Sequence, residues 1–148
     1  MKTIILILLL GISRLSYDAG AALNYAKKYC SGSSYNPHYH DYRNVGGDCA
    51  NFVSQCLTAG GLSLAGCSGK DNKGMLPNVG DLITCLKKKG WSKNSKKFRS
   101  GYPFFLRDHS HAMLAGPISN GYISIYGHTN NRCGDAKIKL STVETYSP

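Results

Sequence analysis

Gly46-Gly47-Asp48-Cys49-Ala50-Asn51-Phe52-Val53-Ser54-Gln55-Cys56 is the stretch whose reading decides the fold. Two glycines end a loop, and Asp48 then stands where an N-cap belongs, its carboxylate able to accept from the free N–H groups of a first helical turn. Phe52, Val53, Cys56 and Leu57 recur at helical spacing, and Gly60-Gly61 supplies a stop. The spacing therefore predicts a helix over 48–59 with Cys49 in its first turn. At that positive end of the helix dipole a thiolate is stabilised, and the expectation is a thiol pKa below the free-cysteine value.

Working outward, Asp18 to Lys28 reads as an alanine-rich helix opened by Asp18. Asp81 to Lys89 reads as a third helix, carboxylate first, lysines last, with Gly90 as its stop. Between them lie a tyrosine- and histidine-bearing loop (31–47) and a glycine-rich excursion (60–78). After Trp91 the pattern changes to short strands: Phe104–Leu106, His111–Ala115, Gly121–Tyr126 and Ala136–Leu140, with a turn at Pro117–Asn120. Helices first and an antiparallel sheet second is an α+β arrangement.

The N-terminus reads as a secretion signal covering residues 1–16. Lys2 provides the basic start, Ile4 to Leu10 is apolar, and small residues permit cleavage after Ser13 or Ser16. The apolar run is too short to span a bilayer, which argues against an uncleaved anchor. The expectation is an exported, monomeric single domain at 17–148 with no integral membrane segment. The formal charge of +10 loses Lys2, or Lys2 and Arg14, on cleavage and stays strongly positive. Lys87, Lys88, Lys89, Lys93, Lys96, Lys97 and Arg99 concentrate it around Trp91. An ordinary solvated face accounts for any one of these; together they favour an anionic polymer. Nucleic acid is not expected, because Trp91 and Phe98 alone are thin aromatic support.

All six cysteines follow the signal. Three disulfides are the plain reading of an even count in an exported chain. If Cys49 is instead a nucleophile, Cys56 on the apolar helix face is the spare buried thiol. Cys30, Cys67, Cys85 and Cys133 then pair with connectivity open, though Cys67 and Cys85 are placed to staple the excursion. A cysteine nucleophile needs a histidine to accept its proton and a polar group to hold that histidine. His111, opening an otherwise apolar strand, is the expected base, and His109 is the alternative two residues earlier. Folding the strand back brings residues 128–130 across from His111, so His128 or Asn130 could accept its ring N–H. His38-x-His40 with His109-x-His111 could suggest a metal. No carboxylate or cysteine spacing reinforces that, and neither metal nor cofactor is expected. Gly46-Gly47 has no lysine at the spacing of a phosphate loop.

Gly47-Asp48-Cys49-Ala50-Asn51-Phe52-Val53-Ser54-Gln55 resembles the signature of the putative amidase domain family, a group similar to the papain-like NlpC and CHAP peptidoglycan hydrolases. Ala21-Ala22-Leu23-Asn24-Tyr25-Ala26 resembles its opening helix, His111-Ala112-Met113-Leu114 its histidine strand, and His128-Thr129-Asn130-Asn131-Arg132 its closing motif. Gly101-Tyr102-Pro103, where many relatives carry Gly-Asp, and the tandem His109-Ser110-His111 depart from the pattern. The resemblance implies a papain-like α+β fold and an amidase or peptidase acting on bacterial peptidoglycan. It implies Cys49 as nucleophile, His111 as base and His128 as the orienting member, with Asn130 and Asp48 in support. Rival readings are a fully bridged basic module binding anionic glycans or membranes without catalysis, and a direct membrane-acting antimicrobial.

Overall fold

The computed structural model describes residues 16–148, so the expected signal segment lies outside the described residues but for Ser16. Among those residues the chain forms three helices, α1 (Ala19–Tyr29), α2 (Cys49–Ala59) and α3 (Val79–Lys88). Six strands follow: β1 (Ser92–Lys93), β2 (Pro103–Leu106), β3 (Ala112–Ser119), β4 (Tyr122–Gly127), β5 (Arg132–Lys139) and β6 (Val143–Ser147). They make one antiparallel sheet in the order β1-β6-β2-β3-β4-β5. The expected α+β class is the one adopted.

α2 is the central helix, with Cys49 through Leu57 all buried. On one side it meets α1, whose small Ala22 and Ala26 allow close approach to Phe52 and Cys56. On the other, Val53 and Leu57 join the main core with Leu82, Leu86, Phe104 and Phe105. Ser54 is one of the polar residues buried in this helix: its hydroxyl donates to the Asn51 carbonyl and accepts the Leu76 N–H, so the buried group is satisfied. Gly60 cannot be larger, because a Cβ there would stand 2.4 Å from the Tyr17 ring.

Several boundaries differ from those the sequence predicts. α3 begins at Val79, capped by the Asn78 side chain, which accepts the Asp81 N–H at 3.2 Å; Asp81 is a first-turn carboxylate rather than the opening residue. The β3–β4 connection turns at Asn120-Gly121, with φ of 51° and 77°, as a two-residue hairpin requires. Pro117 sits instead within β3, at a register shift between Ala115 and Ile118 that frees it from the ladder. β5 starts at Arg132, ahead of the expected Ala136, and β1 and β6 were not foreseen. Disulfides join Cys30 to Cys133 and Cys67 to Cys85, while Cys49 and Cys56 are free and buried. The cysteine usage expected for a nucleophilic Cys49 is therefore the one observed.

Candidate active site

Cys49 opens α2 where that helix end abuts the start of β3. The N–H of Ala112 points at the Cys49 sulfur, as do the N–H groups of Cys49 and Ala50, and all three favour a thiolate. Burial works in the opposite sense and is the larger effect, so the thiol is held above its ordinary range. The lowered pKa expected from the dipole alone is therefore not found: a first-turn position helps, but the sulfur sits in the core cluster.

His111 immediately precedes Ala112, so the peptide unit joining the two stands at the Cys49 sulfur. Its carbonyl accepts the Leu106 N–H, fixing the residue at the end of the β2–β3 pair. Burial pulls its imidazole pKa down, favouring a neutral ring. Among the described residues neither the thiol nor this imidazole hydrogen-bonds to the other. Unliganded sites of this kind commonly tighten only with substrate in place.

His109 does not share a strand face with His111. It lies in the turn before β3 with φ 58°, and its Nε2 pairs with Glu144 Oε2 at 2.8 Å. The β3–β4 ladder pairs Leu114 with Tyr126, and β3 and β4 end short of His111 and of residues 128–130. His128 is not turned to His111. Its Nε2 donates to the Tyr29 carbonyl at 2.7 Å and its Nδ1 meets Asp48 Oδ2 at 2.5 Å, so both ring nitrogens are engaged elsewhere. Asn130 is exposed, with φ 141°.

Asp48 also departs from expectation. Its side chain makes no cap bond to α2. Oδ1 accepts instead from the Tyr42 N–H at 2.9 Å and from Asn51 Nδ2 at 2.8 Å, and Oδ2 meets His128. The Asp48 N–H donates to Thr129 Oγ1 at 3.1 Å. Residues 80 and 81 positions downstream thus hold the residue preceding Cys49. Only the recurrence of polar residues in the closing motif pointed to them, and it gave no hint of that partner.

The His40 ring pairs with Asn72 and its carbonyl accepts from Asn51 Nδ2 at 2.8 Å, and no group of metal-binding side chains occurs among the described residues. Parts of the basic cluster are committed: Lys88 and Lys89 donate to the Gly66 and Ala65 carbonyls, and Lys93 pairs with Glu144. Two open clefts, of about 360 and 260 Å³, meet at Ser95 and reach Lys139 and Arg107; neither is lined by Cys49 or His111.

These features define an α+β protein with an unbridged cysteine at a helix N-terminus and a histidine at the adjoining strand. Residues 16–70, which carry α1, the 31–47 loop and α2, match the family model described as "Putative amidase domain". No curated protein and no solved structure matched the chain.

Proposed function

We propose that the protein is a secreted cysteine hydrolase of papain-like architecture that cleaves amide bonds of bacterial peptidoglycan. The observation that carries this reading is the placement of Cys49: free of any disulfide, at the start of α2, with the peptide N–H that follows His111 directed to its sulfur. The amidase-family match covers that segment. The two disulfides suit an oxidising compartment, and no described helix is long and apolar enough to cross a membrane.

In the mechanism, neutral His111 takes the thiol proton as Cys49 Sγ attacks the amide carbonyl. The Cys49 N–H donates to the developing oxyanion. Protonated His111 then gives its proton to the departing amine, leaving an acyl-enzyme thioester. Water attacks that thioester with His111 again as base, releasing the acid and restoring the thiol. No step calls for a metal or cofactor. The basic surface holds the enzyme near a negatively charged wall, and Val45, exposed on the loop leading to Cys49, offers an apolar contact to a peptide stem.

The test is mass spectrometry of purified peptidoglycan after digestion. New amine and carboxyl ends are expected with the native chain and none with Cys49→Ala. His111→Ala should reduce turnover at least 100-fold, on the order of a lost general base; an active His111→Ala would move the base to His109. Unchanged fragments with the native chain would favour the non-catalytic module, against which two unbridged cysteines already weigh.

A further inference from the structure

The ring of His128 is held on both faces and at both nitrogens. It lies between Phe52 and Tyr35, with ring centroids at 3.8 and 3.6 Å and the Tyr35 plane within 1° of its own. The Arg43 guanidinium covers the outer face of Tyr35 at 4.2 Å. The four groups form a column running from the core to the surface. The imidazole in it is only 2% exposed, and its two nitrogens span the Tyr29 carbonyl and the Asp48 carboxylate. Because a carbonyl only accepts, Nε2 is the donor in the bond to Tyr29.

A second observation converges on Asp48. Thr129, Asn130 and Asn131 have φ values of 68°, 141° and 45°, an unusual run for residues with a Cβ. Strain of this kind persists only where the surroundings over-determine it. Here Thr129 Oγ1 accepts the Asp48 N–H, and Asn131 Oδ1 accepts the Tyr35 hydroxyl at 2.8 Å. The Cys30–Cys133 bridge closes the same turn onto the end of α1. Gly47 is part of this seat, since a Cβ there would stand 3.2 Å from Thr129 Oγ1. Backbone and side chain of Asp48 are thus gripped from the 128–131 turn, one peptide unit before the nucleophile.

We propose that His128 is a positioning residue for the nucleophile: through Asp48 it fixes the first turn of α2, and so the place of Cys49 Sγ and of the N–H groups around it. This rests on the hydrolase reading of Cys49 and deepens it, assigning the closing-motif histidine to the thiol rather than to the base. A misplacement of about 1 Å at a reacting centre costs on the order of 100-fold in rate, so the grip has a kinetic signature.

The experiment compares His128→Asn, His128→Gln and His128→Ala on purified peptidoglycan, with Cys49→Ala as control. Asparagine places an amide nitrogen near the Nδ1 position and can still donate to Asp48; glutamine reaches the Nε2 position and cannot. His128→Asn is expected to keep kcat within about threefold, whereas His128→Gln and His128→Ala fall about 30- to 100-fold with KM unchanged. The acid limb of kcat/KM should stay where it is, while the iodoacetamide rate constant at Cys49 changes in step with kcat. Asp48→Asn should lose a similar factor, and adding it to His128→Gln should cost little more. Equal losses in the asparagine and glutamine variants would overturn the route through Nδ1. So would a shifted acid limb with unaltered alkylation, which would return His128 to the base, or lowered stability with native kcat. If His128→Ala does not fold, the asparagine–glutamine comparison decides. Turnover surviving in Cys49→Ala would remove the hydrolase reading itself, a different result from any of these.

Discussion

At the scale of the residue, the two side chains proposed to react are displaced in opposite directions for one reason. Burial disfavours charge on each, raising the Cys49 thiol and lowering the His111 imidazole. On the proposed mechanism the resting pair is neutral, and the thiol ionises only as its proton passes to His111 during attack. Iodoacetamide should label Cys49 slowly at pH 5–6 and faster with rising pH, beyond the free-thiol value of about 8.5. Rapid, pH-independent labelling at pH 5–6 would show a preformed thiolate–imidazolium pair instead. Stability follows the same signs. The depressed His111 contributes above its unfolded pKa of about 6.5, and its share is lost as pH falls through the lower folded value. The raised Cys49 contributes below about 8.5, and its share is lost as pH rises through the higher folded value. The contribution of the pair is fullest between those two limits.

Elements were legible where their ends carry local chemistry. Asp18 caps α1 by accepting the Ala21 N–H at 2.9 Å, and Lys27 and Lys28 close it, which the sequence announces. α3 shows the limit of such reading, since Asn78 rather than Asp81 caps it. Asn78→Ala should lower stability by about 1 kcal/mol, measured as a shift of the urea midpoint at constant slope; Asp81→Ala, which removes no cap, should cost less. The strands that escaped notice did so for physical reasons. Ser92-Lys93 is too short to show a period. In Val143-Glu144-Thr145-Tyr146-Ser147 the polar Thr145 and Ser147 are buried, which erases the alternation a strand normally displays. The candidate site was legible to the same degree. Cys49 and His111 lie in local patterns, a helix start and an apolar strand, and could be named. The partners of Asp48 could not, because its carboxylate turns from capping to Tyr42, Asn51 and His128 while its N–H donates to Thr129, and only tertiary folding brings His128 and Thr129 near.

For the whole molecule, the two disulfides divide the labour. Cys67–Cys85 closes a separation of 18 residues over the glycine-rich excursion, and Cys30–Cys133 closes one of 103 between α1 and β5. Chain-entropy scaling makes the short one worth about 3 kcal/mol and the long one about 4.7. Replacing Cys30 and Cys133 by serine should therefore lower the unfolding free energy more than replacing Cys67 and Cys85, as read by urea denaturation. Only the former should also depress turnover, because it frees the turn that grips Asp48. On the proposed function charge acts at this scale as well, adding salt-sensitive attraction to an anionic wall without deciding the chemistry. In the proposed mechanism that chemistry depends on Cys49, which competes with Cys56 as a labelling target only in principle, since Cys56 is fully buried. The most direct measurement treats the native protein with iodoacetamide and follows intact mass, the labelled position and peptidoglycan hydrolysis together. A single adduct at Cys49, with hydrolysis falling in proportion to labelling, is the predicted result; full labelling of Cys49 with turnover undiminished would contradict the account.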